Sequence, residues 1–200
     1  MERITLSRTA EHILVFLLHH LGKEYSIREI AISIGQDYKI VFTTMQHLKD
    51  IGLVHIRKVS NLNQCSVHLI KDNSSTYAFL SEHHGHHMTP HNILIAIKEI
   101  IQAVPNPYFT LLLFGSYAKG TARPRSDIDL LVILPDKREE STILSLIKRA
   151  ATLNNLPLSP IILTAQEFQS GLKEPSVSQE AYHNHLIIYG GEAFHGLISS

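Results

Sequence analysis

A chain of 200 residues with 44% apolar side chains has enough material for one medium or two small hydrophobic cores, and eighteen basic residues cancel eighteen acidic ones. That balance argues against bulk-charge attraction to nucleic acid, membrane or acidic partners, and the single Cys65 excludes an intramolecular disulfide framework. No run approaches the roughly 18 apolar residues of a membrane span, and the early "ILVFLL" lacks a small-residue cleavage site and is flanked by Glu11 and by His19 and His20, so a cytoplasmic protein away from any membrane is expected.

In "SRTAEHILVFLLHHLG", Ser7 is placed to cap a helix whose apolar stripe is Ile13, Leu14, Leu17, Leu18 and Leu21, with Gly22 as the stop. "YSIREIAISIG" follows with Ser26 and Glu29 spaced as a capping box, apolar Ile30, Ala31 and Ile34, and Gly35 as terminator. A third helix is predicted from the cap Asp37 to Gly52, with Val41, Met45, Leu48 and Ile51 on one stripe. "LVHIRKV" and "QCSVHLIK" then read as two strands joined by the turn-forming "SNLN".

The order helix, helix, turn, helix, hairpin over residues 8–71 resembles a winged helix-turn-helix, and "LKDIGLVHI" resembles that family's passage from recognition helix into wing. The resemblance implies that Asp37 to Gly52 is the recognition helix, with Tyr38, Lys39, Thr43, Thr44 and Gln46 on a DNA-facing surface and Arg57 and Lys58 of the wing on phosphates. Residues 1–72 hold nine Lys and Arg against seven Asp and Glu, a slight excess in the direction DNA requires. Winged-helix domains also serve as protein-binding modules and often dimerise. The Leu and Phe residues of the first helix would permit a homodimer.

Residues 73–91, "NSSTYAFLSEHHGHHMTPH", are polar and His-rich and read as a flexible linker. The five imidazoles from His83 to His91 are expected to bind transition metals only adventitiously, since a structural site needs fixed supporting partners. His183 and His185 read as surface or half-buried residues. Residues 92–200 then form the second predicted domain.

The chemistry concentrates in "YFTLLLFGSYAKGTARPRSDIDLLVIL". A buried strand breaks at Gly115, whose conformational freedom allows a tight turn that brings main-chain N–H groups near a bound anion, and Ser116 adds a hydroxyl at the start of a short helical stretch. Eleven and thirteen residues after Ser116 come Asp127 and Asp129. Their i, i+2 spacing on a strand puts both carboxylates on one face, roughly 7 Å apart at the backbone. Two like charges so placed repel unless a cation lies between them, and hard oxygen ligands select Mg²⁺ or Mn²⁺.

This strand, Gly-Ser, basic spacer and "SDIDL" arrangement resembles the signature of the DNA polymerase beta-like nucleotidyltransferases, in particular their minimal branch, over about residues 90–195. The resemblance implies an α/β (α+β) fold with a mixed sheet flanked by helices, Gly115, Ser116, Lys119 and Ser126 around a nucleoside triphosphate, and Asp127 and Asp129 as catalytic metal ligands. Arg123 and Arg125 are further phosphate candidates in the spacer. The implied reaction moves a nucleoside monophosphate from the triphosphate to an acceptor.

Active members usually carry a third carboxylate on the third strand. Here "LPLSPIILT" puts Ser159, Pro160 and Ile161 in that neighbourhood, and Glu167 is the nearest acidic residue after it. Loss of a general base costs about 10²–10⁴ in rate. The departure keeps three readings open: an impaired transferase, a DNA-binding transcriptional regulator with a nucleotide-sensing domain, and an antitoxin-like partner of a small helical protein.

Overall fold

Ser7 Oγ accepts from Ala10 N at 3.2 Å and starts α1 (Arg8–His19) at its expected position. In the computed structural model, which describes residues 5–60 and 62–199, α1 is followed by β1 (Tyr25–Ser26), α2 (Ile27–Ser33), α3 (Tyr38–Asp50), β2 (Val54–Val59) and β3 (Leu62–Val67). The Ser26–Glu29 capping box forms around α2, and Asp37 accepts from Lys39 N and Ile40 N to cap α3. β1, β3 and β2 make an antiparallel sheet in that order, with Val59 opposite Leu62 in a tight hairpin. Of the expected turn "SNLN", Leu62 and Asn63 belong to β3, and Asn61 lies outside the described residues.

The leucines of α1 are not available to a second copy. Leu14, Leu17 and Leu18 are 2% exposed or less, within one core shared with Val41, Met45 and Leu48 of α3. Phe16 of the same helix packs edge-on against Tyr25. Two helices of about three turns, one of about two and a hairpin cannot be held by hydrogen bonds alone. Burial of each such leucine contributes about 1.5–3 kcal/mol.

Where the sequence reads as a flexible linker, the chain forms α4 (Ser74–Met88). Tyr77, Ala78, Leu80, Ser81 and Gly85 are buried, and Tyr77 donates to Leu53 O at 2.6 Å. Gly85 lies flat on a strand: a Cβ there would collide with the Ile187 backbone. The histidines scatter around this helix. His83 and His87 are exposed and His86 Nε2 bonds Ile188 O at 2.8 Å. Among the described residues no group of three or more His, Cys, Asp or Glu is arranged to hold a metal ion.

The remaining elements are α5 (His91–Ala103), β4 (Thr110–Leu113), α6 (Gly115–Ala118), β5 (Ile128–Leu134), α7 (Glu140–Asn154), β6 (Leu158–Thr164), α8 (Ala165–Gly171), α9 (Val177–His183), β7 (Leu186–Tyr189) and α10 (Gly191–Ile198). The four strands form a mixed sheet, β6-β5-β4-β7, in which β5 and β6 pair in parallel and β4 is antiparallel to both of its neighbours.

Alternation along β4 and β5 sorts this sheet into two faces. Leu111, Leu113, Leu130 and Val132 pack with Ile93, Ile97, Ile143 and Ile147 of α5 and α7. Leu112, Leu131 and Ile133 face the other way, into the core that contains α1, α3, α4 and α10. Among the described residues no helix is long and apolar enough to cross a membrane.

Candidate functional site

Asp129 is the second residue of β5, in phase with Leu131 and Ile133, so its carboxylate is on the sheet face toward α4 and the N-terminal core. The strand is otherwise buried, and Asp129 itself is half-buried, near the end of the face where covering side chains give way to solvent. Asp127, expected on the same strand, instead stands one residue before it, in the end of the spacer loop, and is exposed. Burial, then the charges of Asp127 and Glu180, push the Asp129 carboxyl above the ordinary carboxylate value, while Lys119 pulls it back. Neither carboxylate accepts a hydrogen bond or ion pair from the described residues. A free, mutually repelling pair of this kind fits a hard divalent cation that fills its remaining coordination with water and phosphate oxygens.

Gly115 begins α6 at φ 64°, and its missing side chain is filled by the neighbouring strand: a Cβ there would collide with the Asp129 carboxylate. The turn and the acid are therefore in direct contact across β4 and β5, tied by the bond from Phe114 N to Asp129 O at 3.1 Å. Ser116 follows, half-buried. Lys119 caps the C-terminal end of α6, and its Nζ is 2.7 Å from Glu180 Oε1 of α9. Ser126 Oγ accepts from Arg123 N at 2.9 Å, which closes the spacer loop on itself, and Arg125 takes φ 75° in the same loop. Arg123 and Arg125 are exposed.

The parallel register pairs Asp129 with Ser159, so the row beside the acid on β6 carries a hydroxyl and not a third carboxylate. Glu167 does not substitute for it. Its Oε1 is 2.7 Å from Lys137 Nζ and its Oε2 accepts from Thr164 N, a capping box at the far end of β6. Lys137 first and Thr164 second hold that carboxyl down at about 2. Five residues of β5 separate its level from Asp129, about 17 Å of strand. The acid that does reach the neighbourhood is Glu180, from a helix the motif does not include; "SVSQEAY" announces a Ser176 cap but nothing about where the helix packs.

The N-terminal elements touch this corner too. His19, the last residue of α1, has Nε2 3.1 Å from Ala118 O of α6 and Nδ1 2.7 Å from His185 O. His183 Nδ1 bonds Leu21 O at 2.7 Å. His185, expected at the surface or half-buried, is 3% exposed.

On α3, Tyr38, Lys39 and Thr43 are exposed and Thr44 is half-buried. Thr43 and Thr44 donate their hydroxyls to Lys39 O and Ile40 O of their own helix. On β2, Lys58 is exposed and Arg57 is paired with Glu24 at 2.8 Å. The α3 surface also shows Tyr38, Ile40 and Phe42 at 52%, 49% and 37% exposure, more apolar than a phosphate-contacting face requires.

Residues 95–187 match the family model described as nucleotidyltransferase domain. The mixed sheet with helices on both faces is consistent with that fold, and the match supports a transferase. No curated protein matches the chain. A solved structure described as "Crystal structure of the toxin-antitoxin with AMP-PNP" is similar at 19% identity and a TM-score of 0.38, over 52% of this chain and 81% of that chain.

Proposed function

We propose that the protein is a metal-dependent nucleotidyltransferase that moves a nucleoside monophosphate from a nucleoside triphosphate to an acceptor hydroxyl, with residues 92–200 as the transferase domain. The observation that carries this is the contact of Gly115 with Asp129, which joins a phosphate-accommodating turn to a free carboxylate pair. The match over residues 95–187 supports the same reading.

Asp127 and Asp129 would hold Mg²⁺ or Mn²⁺, and the Gly115–Ser116 turn would receive the triphosphate, with Lys119 and the spacer Ser126 at its edge. A divalent cation, when bound, supplies neutralisation of phosphate charge and stabilises a pyrophosphate leaving group. The acceptor oxygen attacks the α-phosphorus as the bond to the bridging oxygen breaks, and pyrophosphate leaves with that electron pair. With Ser159 beside Asp129, no carboxylate on β6 takes the acceptor's proton, which passes to water at a cost of about 10²–10⁴ in rate.

Residues 1–72 would act as a winged helix-turn-helix module that selects the partner, DNA through α3 and β2 or a protein through the same apolar surface. Their element order and the antiparallel β1-β3-β2 sheet support that reading. Ser159 beside Asp129 also favours a second reading, a DNA-binding regulator that keeps the pocket as a nucleotide sensor.

Incubation with α-labelled nucleoside triphosphates, Mg²⁺ or Mn²⁺ and candidate acceptors should give labelled product that Asp127→Ala and Asp129→Ala abolish. Product persisting unchanged in both variants would sink the assigned site. Nucleotide binding without transfer, together with enrichment of one sequence from random duplex DNA, would favour the regulator.

A further inference from the structure

Lys119 is the basic group whose charge acts on Asp129, yet its Nζ is engaged 2.7 Å from Glu180 Oε1. Glu180 does not arrive there by chance of a mobile loop. Its helix, α9, is fixed at the start by Ser176, whose Oγ donates to Gly171 O at 2.6 Å and accepts from Gln179 N at 3.3 Å. It is fixed at the end by His183 on Leu21 O, where Gly22 has no room for a Cβ against the Tyr182 and His183 rings. Lys119 is fixed in turn by its position closing α6, whose last carbonyl is held by His19. Two anchored backbones therefore bring this ion pair to the mouth of the candidate site.

We propose that Glu180 is the counter-ion that withholds Lys119 from the site, so that a bound polyphosphate must take Lys119 from the Glu180 carboxylate. The inference rests on the nucleotide reading above. Both side chains are 42% exposed, a setting in which ion pairs are weak enough to exchange. A triphosphate offers several charged oxygens to the same ammonium group, and such charge-assisted bonds are the stronger ones. Glu180 also adds negative charge beside Asp129, where a polyphosphate would be repelled. It is not arranged as a third metal ligand, since no three acidic groups among the described residues converge. The two roles differ in sign: losing a metal ligand weakens metal–nucleotide binding, whereas losing the counter-ion strengthens it.

Calorimetric titration of the full chain with ATP in Mg²⁺ tests this. Glu180→Gln should lower Kd about two- to fivefold, the range expected for releasing an exposed pair. Glu180→Asp, which keeps the charge but is one methylene too short, should tighten binding in the same direction. Lys119→Gln should weaken binding, and in its background Glu180→Gln should lose most of its effect. Weaker or unchanged binding in Glu180→Gln, or an equal gain with Lys119 absent, would overturn the inference alone. A wild-type chain that binds no nucleotide would overturn the nucleotide reading and this inference with it.

Discussion

Asp129 is a carboxylate held where the fold disfavours its charge. Burial first, and then Asp127 and Glu180, raise its carboxyl above the unfolded value of 3.8. A raised acid binds its proton more tightly in the folded state, so its charge costs stability as pH rises past about 4, and that cost persists at neutral pH. Asp129→Asn should therefore raise the thermal midpoint at pH 7 without divalent cations, while millimolar Mg²⁺ should raise the wild-type midpoint and leave the variant's unchanged. A variant that melts lower, beside a wild type indifferent to Mg²⁺, would contradict both the strain and the metal role. Asp129 was legible, because period-2 alternation sets it in phase with Leu131 and Ile133 and Gly115 marks the turn, whereas Asp127, read from the sequence as part of the same strand, stands one residue before it. Glu180 was not, because no local pattern says which surface a seven-residue helix will meet.

Elements show the same division. Caps and glycine stops around α1, α2 and α3 are written in short-range hydrogen bonds, and Ser7, Ser26 and Asp37 all cap where expected. α4 carries no helical signature in the sequence because its buried face is made of Ala78, Ser81 and Gly85 between Tyr77 and Leu80, with little contrast in polarity to the histidines around it. Its burial is chosen by β7, which needs a helix without side-chain bulk at Gly85. Gly85→Ala is accordingly diagnostic. A free linker or a solvated helix would tolerate or welcome alanine, but here the Cβ meets the Ile187 backbone, and overpacking of about 1–3 kcal/mol is expected from denaturant unfolding. α8 carries the complementary test. Glu167→Gln removes the Lys137 pair and weakens the Thr164 capping box, so the thermal midpoint should fall slightly while nucleotide affinity and any transfer rate stay at wild type. A collapse of transfer with affinity retained would return Glu167 to the catalytic site.

At the scale of the whole molecule, one core runs from Leu14 and Leu18 of α1 through Tyr77 of α4 to Leu112, Leu131 and Phe194, so the N-terminal elements and the mixed sheet share buried surface. The seam is lined with imidazoles. His19 packs against the rings of His20, His84 and His185, and His195 lies beneath them with Nε2 3.0 Å from Ser81 Oγ and Nδ1 unpartnered. Burial lowers the pKa of His84 to about 4 and those of His185 and His195 to about 3, and lowers His19 as well. A histidine whose folded pKa lies below its unfolded 6.5 is protonated first in the unfolded chain, so its contribution is intact above pH 6.5 and is lost as pH falls toward the folded value. Between pH 6.5 and 5.5 each fully suppressed imidazole costs about 1 kcal/mol, and the three most suppressed together about 3 kcal/mol. Urea unfolding followed at once by far-ultraviolet dichroism and by tyrosine fluorescence should give one coincident transition at pH 7.5, because the shared core couples the halves. Its midpoint should move to lower urea at pH 5.5 with the slope unchanged. Two separated transitions would mean that the halves fold independently of the seam, and a midpoint that does not move between these pH values would mean that the imidazoles are not kept neutral by it.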